Sequence, residues 1–135
     1  MFANVYGETT IGIEGVKINV EVDVANGLPA FDIVGLPTMA VRESRERVKS
    51  ALRNSGYPFP MTHITVNLAP ADLKKEGSAY DLAMAVGILA KEASIKQDNF
   101  SDIVFLGELS LDGSIRAING VLPIVSNLAK LGVKK

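Results

Sequence analysis

The stretch Val16-Lys17-Ile18-Asn19-Val20-Glu21-Val22-Asp23-Val24 decides how the chain begins to fold. Its apolar residues fall on every second position. An extended backbone therefore sets the aliphatic side chains on one face and Lys17, Asn19, Glu21 and Asp23 on the other. Such a strand rests one side on a core and turns the other to water. Working outward, residues 2–9 read as a strand before it. Asn26-Gly27 reads as a turn after it, and Phe31, Ile33 and Val34 as a short strand ending at Gly35-Leu36-Pro37. The opening is expected to be a three-stranded meander.

Thr38 suits the cap of a helix over residues 39–55. Val41, Val48 and Leu52 fall near one face with Ser44 and Ala51 beside them, and Gly56, Pro58 and Pro60 stop it. Ile64, Val66 and Leu68 alternate with His63, Thr65 and Asn67 in another half-buried strand. Ser78-Ala79-Tyr80-Asp81 has the form of a capping box and predicts a helix running to about Ala93. That helix is apolar nearly all round and so is expected to be buried. Ile103–Leu111 reads as a strand, Asp112-Gly113 as a hairpin turn, Ser114–Ile118 as the return strand, and 121–131 as a last helix ending at Gly132. The order of elements gives an α/β chain of the two-layer α+β kind, one domain over residues 1–135. A helix that ends in Gly and leads to Val133 normally delivers the chain to another strand, so the sequence is expected to belong to a longer protein.

Composition excludes several chemistries. With 47% hydrophobic residues the chain has material for a core, but with 6% aromatics and no Trp that core must be aliphatic. The formal net charge of -1 rules out a globally basic nucleic-acid coat and leaves room for a local basic patch. No cysteine is present, which removes disulfides, thiolate metal sites and cysteine nucleophiles. The longest strongly apolar run, Leu82–Ala90, is far short of the roughly 20 residues that span a bilayer, and no signal peptide opens the chain, so no membrane role and a cytoplasmic location are expected. No Gly-Lys pair and no Gly-x-Gly occur, so neither a P-loop nor a dinucleotide fingerprint lies here. His63 is the only histidine and lacks a matching nucleophile and acid, which makes it a surface histidine. Asp72, Glu76 and Asp81 match no metal loop and read as solvated loop charges and a helix cap.

Longer motifs carry a resemblance. Phe31-Asp32-Ile33-Val34-Gly35-Leu36-Pro37 followed by Ala40-Val41-Arg42-Glu43-Ser44-Arg45-Glu46-Arg47-Val48, then Ile64–Leu73, Lys75-Glu76-Gly77 and Asp81-Leu82, resemble the N-terminal domain of the YifB/ComM family of magnesium-chelatase-like AAA+ ATPases across essentially the whole chain. The resemblance implies a fold like the second domain of ribosomal protein S5, shared with the proteolytic domain of Lon and the C-terminal domain of RadA, with a left-handed βαβ crossover. It also implies a following AAA+ module of the same chain that binds ATP and magnesium, assembly as a homo-hexamer, and a link to DNA branch migration in natural transformation. No cofactor is expected in these residues themselves.

The likeness to Lon can be examined at its reacting groups. Lon's nucleophile lies in Lys-Asp-Gly-Pro-Ser-Ala-Gly. Against Lys75-Glu76-Gly77-Ser78-Ala79-Tyr80-Asp81 the serine position falls on Ala79, and the lysine position falls on Leu122. Serine–lysine chemistry needs nucleophile and base together, so no catalytic residue is assigned, and Ser78 is expected to serve as a helix cap with Asp81 reciprocating.

Two readings of the charged residues stand. Arg42, Arg45, Arg47, Lys49 and Arg53, with Lys74 and Lys75, could form a surface for DNA phosphates or a partner. They could equally be a solvated face with pairs Glu43–Arg47 and Glu46–Lys49. The acids Glu43 and Glu46 set among the cations, with no aromatic residue interleaved, favour the second. The turn Gly35-Leu36-Pro37-Thr38-Met39 reads as a strand-to-helix connection, or as a packing surface for an ATPase ring.

Overall fold

In the computed structural model, which describes residues 2–11, 14–57, 59, 62–75, 77–92 and 103–118, β1 (Phe2–Ile11) and β2 (Glu14–Ala25) form a long antiparallel hairpin. β3 (Ala30–Val34) does not extend it as a meander. The neighbour of β2 is β4 (His63–Ala69), paired antiparallel over seven residues from Asn19↔Ala69 to Ala25↔His63, and β3 lies outside β4 in parallel. The sheet order is β1-β2-β4-β3. The longer, strictly alternating β4 takes the position beside β2, and the five-residue β3 is left at the edge. A parallel pair needs a crossover, which the helical segment between β3 and β4 supplies.

Residues opposite one another in register share a face. Val5, Val20 and Leu68 line up, as do Ala3, Val22, Val66 and Ile33, and all are buried. The opposite face is polar, with Asn67 donating to Glu21 at 2.7 Å and the Lys17 ammonium 3.9 Å from the centre of the Tyr6 ring. The helices cover the apolar face, which gives the two-layer α+β arrangement expected from the sequence.

The helix expected over 39–55 is split into α1 (Met39–Arg42) and α2 (Ser44–Asn54), with Glu43 between them still in helical conformation (φ -63, ψ -17). Thr38 caps α1, its hydroxyl oxygen accepting from the Val41 amide. α3 (Asp81–Glu92) packs across β1 and β2, and Ala83, Met84, Ala85, Ile88 and Ala90 are buried, as its uniform apolarity required. Helix and sheet approach closely at Gly87, where a Cβ would stand 2.5 Å from the Val22 side chain.

The strand expected over 103–111 is broken in two. Val104 bridges Tyr6 at the free edge of β1, and only Glu108–Leu109 (β5) pairs with Ile115–Arg116 (β6) around the anticipated Asp112-Gly113 turn. The reason lies at Gly107. Its amide donates to the Ala79 carbonyl at 3.2 Å and its carbonyl accepts from the Leu82 amide at 3.1 Å. The segment leaves the sheet edge to satisfy backbone groups at the start of α3. The expected helix at 121–131 lies outside the described residues.

Gly35 marks the point where β3 passes the end of β4. Its φ is +100°, and a Cβ would sit 2.2 Å from the Leu68 carbonyl oxygen. Gly56, at φ +90°, has nothing within 4 Å of the same position. Gly35→Ala should therefore cost about 3 kcal/mol or more through strain plus a backbone clash, whereas Gly56→Ala should cost about 1 kcal/mol from conformation alone. Urea unfolding of the two variants checks this, and similar losses would show that the close approach at Gly35 is not made.

Candidate nucleic-acid interface

The fold divides the basic residues of the sequence into two groups. Arg47 is drawn inward. Its Nε donates to Asp81 Oδ2 at 2.6 Å and its Nη2 to Asp81 Oδ1 at 3.2 Å, to Ser44 Oγ at 3.1 Å and to the Ala40 carbonyl at 3.2 Å. Asp81 is fully buried and also accepts from Ser44 Oγ at 2.5 Å and from the Leu109 amide at 3.1 Å. The hydrogen bond to Asp81 holds the Arg47 guanidinium above its ordinary range, against the opposing effect of burial. Arg47 thus ties α2 to α3, and its Nε and Nη2 are taken up by Asp81, Ser44 and Ala40 instead of facing outward with the rest of the expected basic surface.

The same geometry corrects the capping box. The Asp81 carboxylate turns away from Ser78 toward Arg47, because a buried carboxylate gains more from a cation and two further donors than from one backbone amide. Ser78 contributes its carbonyl, which accepts from the Asp81 amide.

Lys75 is the second correction. It is fully buried, its ammonium donates to the Pro70 carbonyl, and its backbone pairs with Leu36 and Thr38. Burial lowers its pKa, with Asp72 acting in the opposite direction. Its backbone position, locked to the Gly35–Thr38 turn, forces the side chain inside. Lys74 remains on the exposed surface.

Arg42, Arg45, Lys49 and Arg53 remain. Their spacing of three, four and four residues places them along one helical face, and the helical backbone at Glu43 carries that spacing across the break. Arg42, Arg45 and Arg53 are exposed and Lys49 is half-buried. Of the two expected intrahelical pairs, Glu43–Arg47 forms at 3.7 Å, while no Glu46–Lys49 pair occurs among the described residues.

An aromatic pair stands at the Arg53 end of this stripe, where the sequence pattern showed none. Phe31 of β3 and Phe59 of the loop before β4 stack with centroids 5.5 Å apart and planes at 26°. The Lys49 ammonium lies 6.0 Å from the Phe59 ring centre. Phe31, Phe59, Lys49 and Arg53, with Pro29, Ala30 and Thr62, line a cleft of about 130 Å³. The two rings are far apart in sequence, and only the parallel β3–β4 pairing brings them together. The one available signal is the two-residue spacing of Phe31 and Ile33, which sets both on one face of the short strand.

The other candidates are placed apart among the described residues. His63 is half-exposed and lies 3.3 Å from Asp32. No group of three metal-ligating side chains occurs among the described residues, and Glu76 and Leu122 lie outside them. No helix among the described residues is long and apolar enough to cross a membrane.

The family model for subunit ChlI of Mg-chelatase matches residues 20–135. The chain belongs to this ChlI family. Among its relatives, the ChlI-family chain is 42% identical over 123 residues to the competence protein ComM of Haemophilus influenzae and 41% identical over 130 residues to the YifB protein of Escherichia coli. These alignments cover 91% and 96% of the chain but 24% and 26% of the relatives, so the chain spans about a quarter of their length. It is also 29% identical over 115 residues to Lon protease 2 of Bacillus subtilis, across 81% of the chain and 20% of that protein.

Two stability measurements check the inward group. Arg47→Ala leaves Asp81 buried without its cation and should cost about 3–5 kcal/mol in urea unfolding, whereas Arg45→Ala should stay within about 0.5 kcal/mol. Equal losses would contradict the sorting of the two arginines. Lys75 gives a pH signature. Its folded-state pKa lies below that of an ordinary lysine, near 10.5, so between the two values the unfolded chain binds more protons. Stability measured relative to Lys75→Met should therefore rise as pH increases toward 10.5. A flat difference would mean that the ammonium is solvated.

Proposed function

We propose that the chain is a non-catalytic accessory domain of a magnesium-chelatase-like AAA+ ATPase and that it handles DNA through the face Arg42-Arg45-Lys49-Arg53. The observation that carries this reading is the exposed cationic stripe on α1 and α2, left over after Arg47 has been neutralised by Asp81. Phosphate contacts of this kind hold a nucleic acid without reading its sequence. That suits a domain that guides DNA to a motor, in branch migration or transformation. ATP and magnesium would bind the AAA+ module of the longer protein, which on this reading works in the cytoplasm as a homo-hexamer.

The non-catalytic part of the proposal is supported by Ala79 at the position of Lon's nucleophile and by the Lys75 ammonium being directed at a backbone carbonyl. A second reading, support of ring assembly, is favoured by exposed apolar residues at the turn into α1: Val34 is 45% exposed, Leu36 52% and Met39 74%. Those residues would pack against the AAA+ module.

Salt dependence tests the DNA reading. With up to four phosphate contacts, log affinity against log salt should fall with a slope of about -3 to -4 for duplex DNA, and Arg45→Ala should reduce that slope by about 1. No binding at low salt, or binding unchanged in Arg45→Ala and Lys49→Ala, would remove the DNA reading and leave ring assembly. Turnover of an unfolded protein substrate that is lost in Ser78→Ala would overturn the non-catalytic assignment.

A further inference from the structure

We propose that the Phe31–Phe59 cleft is a stacking site for one unpaired base of single-stranded DNA, with the strand's phosphates running along Lys49, Arg45 and Arg42. The inference rests on the DNA reading above and deepens it from DNA in general to single strands.

Four observations carry it. Two half-buried phenyl rings are stacked at 5.5 Å, so their apolar surface is gathered at one place. Any base can lie against such a surface, because every base has a π-face. Cations flank the rings, with Lys49 and Arg53 lining the same cleft, so a base and its own phosphate find complementary partners within one site. Thr62 is also part of the cleft wall, and its hydroxyl oxygen is buried without a hydrogen-bond partner among the described residues. A turn of the Thr62 side chain toward the cleft would offer that hydroxyl to a base edge. The last observation is spacing. Residues four apart on a helix advance about 6 Å along its axis, close to one nucleotide of an extended strand, so Arg53, Lys49 and Arg45 present one cation per phosphate.

Size and shape separate this from other ligands. The cleft, at about 130 Å³, is well below the ~300–1,000 Å³ of pockets that engulf a metabolite. It takes a ring against its walls and leaves the rest of the molecule outside, along the stripe. A paired base inside a duplex cannot present its face to the rings without leaving the stack. The stripe alone therefore serves duplex DNA, and stripe plus rings serve a single strand.

The test uses the chain itself with a fluorescein-labelled oligothymidylate and a mixed-sequence duplex of equal length, at one low salt concentration. The ratio of single-strand to duplex affinity is the readout. Phe59→Leu keeps apolar volume and removes the ring, and should lower the ratio about tenfold. Phe59→Tyr keeps a ring and should hold the ratio, while Phe31→Leu should move it in the same direction as Phe59→Leu. Thermal unfolding of each variant confirms that the fold is kept. An unchanged ratio in both leucine variants, with duplex binding intact, would overturn the stacking site and leave the phosphate stripe standing. Absence of binding to either probe by the unmodified chain would overturn the stripe and the site together. Competition by thymidine monophosphate as strong as that of unlabelled oligothymidylate would replace the strand by a free nucleotide and overturn the proposal.

Discussion

A carboxylate sealed inside the protein requires a cation, and the Asp81 carboxylate takes that cation from Arg47. Asp81 is the first residue of α3, where the helix dipole favours a negative charge, and it is held by the Arg47 guanidinium, the Ser44 hydroxyl and the Leu109 amide. These donors come from α2 and from β5, so one side chain fixes three elements to one another. A buried pair of this kind adds little net stability over a well-packed apolar substitute, yet losing one member is costly because the other charge remains buried. Together with the buried Val48, Ala51 and Leu52, it holds one face of α2 inward.

That orientation decides the surface. With Arg47, Ser44 and Val48 directed inward, the residues at 42, 45, 49 and 53 are turned outward or to the rim. A segment in which Glu43 and Glu46 are interleaved with its cations in sequence becomes asymmetric in space. The same orientation brings Lys49 and Arg53 to the edge strand β3, where Phe31 meets Phe59. The basic stripe thus follows from which face of α2 is buried and the aromatic pair from the β3–β4 pairing, and the two meet at Lys49 and Arg53.

Much of the fold could be read from the sequence because it rests on local periodicity. The alternation at 16–24 and 64–68, the uniform apolarity of 82–90 and the Asp112-Gly113 turn each specify an element by themselves. Strand order was not legible. Nothing local to β3 shows that β4 will be inserted beside β2, and the expected meander failed for that reason. The site was less legible still. The pattern at 78–81 fits a capping box, but the competing demand on Asp81 comes from Arg47, on another helix. Lys75 looks like a loop cation until the Gly35–Thr38 turn is seen to pull its backbone inward. Phe31 and Phe59 become neighbours only through non-local pairing. The stripe itself was present among the expected residues, mixed with Lys75 and Arg47, which tertiary contacts draw inward.

A likeness to Lon protease 2 stands beside an alanine, Ala79, where the motif comparison places Lon's serine, which fits the general separation of fold from function. Neighbouring parts of the chain carry distinct surfaces, apolar at the turn into α1 and basic along α1 and α2. The division of the arginines is the central claim, and arginine side-chain Nε–H correlations in an NMR titration with oligothymidylate test it most directly. The account predicts that the signals of Arg42, Arg45 and Arg53 shift with added DNA while that of Arg47 stays fixed. A shift of Arg47 together with the others, or no shift in any of them, would contradict it.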